Sequence, residues 1–521
     1  MFGKQWGVSV LIGAICMLLL PWGNVQAAKA ADGVHIKILH TNDMHARVRA
    51  GDDYGKSIGM AEIAAAIRQA KTKDADTLAM DAGDTLHGMP IVNVSRGENM
   101  VKLMNAAGYD CMVPGNHDYN YGAERLQELA KQLDFPVLSA NTVDRRTQKL
   151  LFSPYKTMTV DGVKIAVFGL TTPETAYKAK PELVEQVEFL DPIETAKQMV
   201  KKLRQENDVL IAVTHIGLDK SSVITSGMLA DKVKGIDLII DGHSHTELPQ
   251  GLTVGSTLIA QTGCHDWNLG EVELVVKDHK VIKATAHLYT AEELKKIVPQ
   301  PDAAVTSLIA QLDGQNKARF DEVVAYSKRS LSAERAVLRT QEAELGDICA
   351  DAIRWAAKAD IGLINAGSIR QDIKAGLITR GNLMAICPFG NTLQKLSISG
   401  AVLKDALEYS VEQYPAVFGG FLQVSGIEFD MNPAIPAGQR VSNLRVQGRP
   451  VVLQKDYTVA INDFLAGGGD GYTMLKKAKV LQEYGTMEEI IAEYLNQADW
   501  QNVQHGRIHK ATADAAAEKA A

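Results

Sequence analysis

Short apolar runs that end in metal-ligand side chains recur through the first half of the chain. HIKILHTND (35–43), TLAMDAGD (77–84), YDCMVPGNHD (109–118), VLIAVTH (209–215) and IDLIIDGHSH (236–245) each begin as strand-like stretches and close on Asp, Asn or His. Between them, MAEIAAAIRQAKTK (60–73), ENMVKLMNAAGY (98–109), AERLQELAKQL (123–133) and PIETAKQMVKKLRQ (192–205) place apolar residues three and four apart, which predicts amphipathic helices. FPVLSAN (135–141) and VKIAVFGLTTPE (163–174) read as further strands. Strand, loop and helix in repetition argue for a layered α/β domain over residues 35–290, with functional loops at the strand C-termini. STLIAQTGCH (256–265) and NLGEVELVVKD (268–278) alternate more and predict antiparallel strands.

Residues 291–322 form a charged, helix-period stretch interrupted by Pro299 and Pro301, read as a helical connector. Residues 323–510 form a second, smaller α/β unit. Its helices start near Glu342 and Gly400, and KLSIS, YTVAIND and GIEFDMN are its strands. Residues 511–521 are small and polar, a frayed tail. No repeat of roughly 20–50 residues and no lipid-anchor signal is present.

At 521 residues the chain is too long for one core, which agrees with two domains. Its composition, 46% hydrophobic and 22% charged, is that of an ordinary globular protein. The first residues depart from it. Lys4, an apolar run from Val8 to Leu20, Pro21 and the small-residue site Val25-Gln26-Ala27 make residues 1–27 a secretory signal peptide, so export to periplasm or medium is expected. No later run reaches roughly 18 apolar residues, so no stable membrane span is expected once that leader is removed. The net charge of −7 gives no reason to seek nucleic-acid polymers or anionic membranes. Cys111, Cys264, Cys349 and Cys387 lack CxxC spacing, which excludes a zinc knuckle and argues against a disulfide framework, while leaving room for one disulfide.

Asp43 and His45, two apart in extended backbone, point to one side and can grip one ion. Asp84, after Gly83, offers two carboxylate oxygens, the natural bridge between a pair of ions. Asn116 adds an amide oxygen, and His215, His243 and His245 add imidazole nitrogens. Singly, each has a dull explanation as a turn or a hydrogen-bonded loop residue. Together and in order, each at the same kind of strand end, they predict two divalent ions. The mixed donor set suits zinc or manganese, and iron as well.

These five blocks, DMH, GD, GNHD, the histidine of VTH, and GHSH, resemble those of the calcineurin-like metallophosphoesterases in order and spacing. The resemblance implies a four-layer αββα domain. It also implies that Asp43, His45, Asp84 and His245 hold one ion, and Asp84, Asn116, His215 and His243 the other. His117 is left free to stabilise phosphoryl charge and protonate the leaving oxygen. In the second half, Asn365-Ala366-Gly367-Ser368-Ile369-Arg370, Pro388-Phe389-Gly390-Asn391, Gly420-Phe421-Leu422-Gln423-Val424-Ser425-Gly426 and Phe464-Leu465-Ala466-Gly467-Gly468-Gly469-Asp470-Gly471 resemble the C-terminal domain of the 5′-nucleotidase family. By that resemblance Phe421 and Phe464 stack a nucleobase, Asp470 accepts from ribose hydroxyls, Arg370 pairs with phosphate or ribose, and Asn391 touches the base.

One position departs from the pattern. Many family members read GNHEFD, where the last Asp orients the catalytic histidine. Here the segment is Gly115-Asn116-His117-Asp118-Tyr119-Asn120. Asn120 can hydrogen-bond His117 without a charge, and Asp118 is the candidate to supply one. The resemblance thus implies a monomeric 5′-nucleotidase acting on small nucleotides, extending to nucleoside di- and triphosphates or UDP-sugars. Asn120 keeps a 2′,3′-cyclic-nucleotide phosphodiesterase/3′-nucleotidase as the alternative, and a non-catalytic nucleotide-binding surface protein is the reading from another class. Gly51-Asp52-Asp53-Tyr54-Gly55-Lys56-Ser57 is one residue short of a P-loop and acidic, and is set aside.

Overall fold

A computed structural model of the chain describes residues 33–510, apart from 75, 180–182 and 220–221. The expected leader (1–27) and tail (511–521) lie outside the described residues.

The N-terminal half is built on two sheets. In the first, Lys280–Thr290, Asn268–Lys277, Val34–Thr41, Leu78–Asp81 and Cys111–Met112 lie side by side, and the last three strands run parallel. In the second the order is Leu252–Val254, Thr257–Ala260, Leu238–Ile240, Val209–His215, Val163–Thr171 and Tyr155–Val160, parallel through its centre. Alternation along each strand decides the layers. In Val209–His215, Val209, Ile211 and Val213 face the other sheet with Ile36, Ile38, Met80 and Leu274. Leu210 and Ala212 face outward, under Ile193, Ala196 and Leu229 of the helices Pro192–Leu203 and Ser226–Lys232. Leu39, Ala79 and Met112 of the first sheet meet Ile63, Ile67, Met100 and Leu103 of the helices Met60–Lys73 and Glu98–Ala107. The result is helix, sheet, sheet, helix. A strand buried on both faces must be apolar throughout, which is why VLIAVTH has no polar residue before Thr214.

One expectation needs correcting. Thr257–Ala260 runs parallel to Leu238–Ile240 and antiparallel only to the short edge strand Leu252–Val254. The alternation that predicts an antiparallel strand comes from flanking polar residues that are buried and hydrogen-bonded inward: Thr257 Oγ1 donates to Ile236 O at 2.8 Å, and Gln261 Nε2 to Asp241 at 3.3 Å.

The connector contains the helices Ala291–Ile297 and Ala303–Phe320, capped by the Thr290 and Asp302 side chains. Val305 and Leu312 sink into the outer helix layer of the first half, and Arg319 Nη1 donates to Val94 O at 2.6 Å. Beyond it, Leu422–Ser425, Ile361–Asn365, Asp456–Asn462, Thr392–Ser399 and Lys479–Thr486 form a five-stranded sheet, packed by the helices Glu344–Ala357 and Met487–Gln497 around a separate core. The four described cysteines are free and buried. Among the described residues no helix is long and apolar enough to cross a membrane.

Ile211 sits between the two sheets with no exposed surface, so Ile211→Ala removes methyl groups that nothing can replace. It should cost about 2–5 kcal/mol, read as a lower urea midpoint for the N-terminal transition at an unchanged slope.

Candidate metal centre

Parallel registration brings the strand ends to one edge. Thr41 is level with Asp81, Asp81 with Met112, and Thr171 with His215, so the residues that follow each strand converge. The loops that follow are tightly wound. Asp43, His45, Asp84, His243 and His245 all have φ between +45° and +76°. Left-handed backbone at non-glycine residues costs free energy and persists where the surroundings impose it, as functional loops do. Gly115 shows how close the loops come: a Cβ there would lie 2.1 Å from Asp84 Oδ1.

The donor atoms fall into two groups, Asp43, His45 and His245, and Asp84, His215 and His243, each with its atoms within 4.8 Å of one another. The groups adjoin. His215 Nε2 is 3.1 Å from Asp84 Oδ2 and 3.9 Å from Asp43 Oδ1, and His45 Nε2 is 3.3 Å from His245 Nε2. His215 Nδ1 donates to Ala82 O at 2.6 Å, which leaves Nε2 free to bind a cation. Asn116 Oδ1 is buried with no hydrogen-bond partner, a costly state unless a ligand takes it. His243 Nε2 bonds Glu174 Oε2 at 3.0 Å, a carboxylate–histidine pairing that orients the ring. These donors fit a pair of divalent ions.

The charges agree. Burial pushes the Asp84 carboxyl up, but the imidazoles of His215 and His117 outweigh it and hold it well below its usual range. Burial pushes His215 down, yet Asp84 and Asp43 lift it to about 10. Two buried carboxylates therefore draw protons onto neighbouring imidazoles, where a cation would otherwise balance them. Burial holds His45 neutral, well below its usual value.

His117 stands beside this centre, and its backbone N–H donates to Asp84 Oδ1 at 2.7 Å. Asn120 Nδ2 lies 3.1 Å from His117 Nδ1 and 3.2 Å from His87 Nδ1, so one amide aligns two imidazoles. Asp118 does not supply the missing charge. Its carboxylate accepts the backbone N–H groups of Asp84, Thr85, Leu86 and Gly115 at 2.8–2.9 Å. It is consumed in fixing the loop that carries Asp84, and it acts as a positioning residue.

The nucleotide-side candidates separate in the same way. Arg370 lies exposed, its guanidinium 5.0 Å from the Phe389 ring centroid. Asp470, at φ 51°, accepts from Asn365 Nδ2 at 2.9 Å. Gly419 sits between Asp470 and Arg339 Nη1, with Arg335 and Arg370 near enough to depress the Arg339 guanidinium once burial has begun to do so. Phe464 is half-buried against Gly469. Phe421 is 1% exposed and packed in the core, so it offers no open face here, whereas Phe418 is half-buried and edge-on to Tyr409. Asn391 is also turned inward: its Nδ2 donates to Asp463 Oδ1 at 2.8 Å and its carbonyl accepts from Met487 N.

Arg339, Phe418, Glu174, Lys178 and Glu483 were not singled out from the sequence. The two halves meet at this centre, where Arg47 Nη2 donates to Phe389 O at 2.9 Å.

Residues 36–247 match the calcineurin-like phosphoesterase family and residues 323–477 the 5′-nucleotidase C-terminal domain. The chain is 31% identical to the trifunctional nucleotide phosphoesterase protein YfkN of Bacillus subtilis, over 88% of its own length and 34% of that protein's. It is 30% identical to the snake venom 5′-nucleotidase of Gloydius brevicauda, over 93% of this chain and 89% of the other. Among solved structures, the NAD nucleotidase of Haemophilus influenzae shares the fold with a TM-score of 0.74 at 22% identity, over 92% of this chain and 100% of that one.

Two outcomes follow. Asp118→Ala leaves four backbone donors unpaired and should lower bound metal in elemental analysis while the far domain keeps its thermal transition. Because His215 holds its proton up to about 10 in the metal-free protein, binding must displace that proton. Cation affinity should therefore fall as pH falls below neutral, by about tenfold per pH unit for each proton displaced, measured by calorimetry with zinc or manganese.

Proposed function

Because the chain belongs to the 5′-nucleotidase family of phosphoester hydrolases, we propose that it cleaves nucleoside 5′-phosphates to nucleoside and inorganic phosphate. Nucleoside di- and triphosphates and UDP-sugars are the further substrates. The observation that carries this reading is the pair of donor groups meeting at Asp84, with the His117 imidazole alongside.

Asp43, His45, Asp84 and His245 would hold one ion, and Asp84, Asn116, His215 and His243 the other. When bound, two such ions activate a water and neutralise phosphoryl charge. The protein's own residues supply the rest. The Asn120 amide facing His117 Nδ1 orients the ring and leaves Nε2 as the nitrogen that can pass a proton to the leaving oxygen. Burial opposes the charged form of His117, but with the site free of substrate Asp84 and Glu483 outweigh it and raise its pKa. Across the cleft, Arg370 and Arg339 attract the phosphate or ribose, Asp470 accepts from ribose hydroxyls, and Phe464 with Phe418 presents ring surface to the base.

Zinc or manganese suits the mixed donors. The apolar leader of residues 1–27 supports export, and the mildly acidic surface supports a small-molecule substrate.

Purified protein loaded with zinc or manganese should release phosphate from AMP, ADP or ATP, and His117→Ala should lower kcat by about 10²–10⁴-fold with AMP still bound. No phosphate from any of the three would overturn the reading. AMP binding without turnover would leave a nucleotide-binding protein. Faster turnover of 2′,3′-cyclic AMP than of AMP would make the cyclic phosphodiester the true substrate, as Asn120 allows.

A further inference from the structure

The second domain places carboxylates directly against the metal loops. Glu483, on the strand Lys479–Thr486, is buried, with Oε2 3.2 Å from His117 Nε2 and Oε1 3.9 Å from Lys178 Nζ. Lys178 Nζ in turn lies 3.2 Å from Glu174 Oε2, the carboxylate that orients His243. Glu489, on the following helix, is 3.4 Å from His87 Nε2. Of these contacts, that of Glu483 engages the imidazole nitrogen that the proposed reaction needs for the leaving oxygen. His117 Nε2 cannot donate to Glu483 and to a phosphoester at once.

A carboxylate resembles part of a phosphoryl group: negative oxygens on a trigonal centre, able to bridge two cationic donors. We propose that Glu483 is an internal competitor for the phosphoryl site. In this arrangement of the domains its carboxylate takes the place of phosphoryl oxygens between His117 and Lys178. Every phosphoryl ligand, substrate or product, must displace it. Such a residue weakens all of these ligands by one common factor and leaves the chemical step alone, since it is absent from the occupied site. It also weakens inorganic phosphate, so it favours product release.

The inference rests on the phosphoester reading of the site, and inorganic phosphate separates the two. Its binding to metal-loaded protein, measured by calorimetry, needs no turnover, so failure of wild-type protein to cleave AMP would not obscure it. Glu483→Gln keeps size and removes charge. It should tighten phosphate by about tenfold, the weight of one charge-assisted contact. It should lower KM for AMP and for p-nitrophenyl phosphate by the same factor, with kcat within threefold. Glu483→Asp should fall between. Glu489→Gln, which breaks the neighbouring cross-domain pair without touching His117, should leave phosphate affinity as it was. Unchanged phosphate affinity in E483Q at wild-type metal content would overturn the proposal. So would an equal gain in E489Q, which would assign the effect to domain closure, or a fall in kcat at constant KM, which would make Glu483 part of the chemistry.

Discussion

The carboxylate of Asp84 is the fixed point of this molecule. It lies 2% exposed, between the two donor groups and against the backbone of His117, in a loop that would not close without Gly83 and Gly115. A buried carboxylate is unfavourable unless cations or donors surround it. Every neighbouring element answers that demand: His215 from the second sheet, the His117 N–H from the third loop, and Asp118 holding the Asp84 loop by its own N–H groups. The strain in the loops is tolerable because the four-layer core beneath them is rigid and apolar throughout. Loop geometry and core packing are thus two parts of one constraint.

That constraint explains what was legible beforehand. Metal coordination admits few side-chain types, and parallel strands deliver them at their C-terminal ends, so the residues that the structure gathers into the groups Asp43, His45, His245 and Asp84, His215, His243 stand out by residue type and position. Helices were legible from their period, and the burial of Ile63, Ile67, Met100 and Leu103 follows it. The failures have equally physical origins. Thr257–Ala260 runs parallel where alternation predicts an antiparallel strand, because buried polar residues satisfied by hydrogen bonds alternate with apolar ones as an antiparallel strand's do. Asp118 was misassigned because a carboxylate near a histidine carries no label for where it points; four backbone donors had a stronger claim on it. Phe421 and Phe418 are three residues apart in one glycine-rich loop, and only tertiary packing decides which ring is sunk in the core.

Residues brought in from across the cleft had no sequence signature at all. Glu483 and Glu489 are ordinary charged residues on ordinary elements, and their contacts with His117 and His87 exist only because two independently packed cores are pressed together. The interface between those cores is polar where it meets the metal loops. Asn93 Nδ2 donates to Glu488 Oε1 at 3.2 Å, and burial, with Glu489 adding to it, lifts the Glu488 carboxyl to about 8, so it sits there largely uncharged at neutral pH. Polar contacts of this kind hold an arrangement without making it permanent, because water can replace each of them when the domains part.

A site shared between two domains has a consequence for the departure at position 120. In a single-domain site a carboxylate beside the catalytic histidine would be permanent, and it would hold the imidazole charged in every state. Here the adjacent partner is the neutral Asn120, and the charge arrives on Glu483 from the other domain. The electrostatic support of His117 therefore varies with how the domains stand. It is strongest when they meet with nothing between them, and it is surrendered when a phosphoester takes the place of Glu483. An amide at position 120 need not be a defect in the histidine's support. It is compatible with catalysis in which the phosphoryl group itself, rather than a fixed aspartate, becomes the anion opposite the protonated ring.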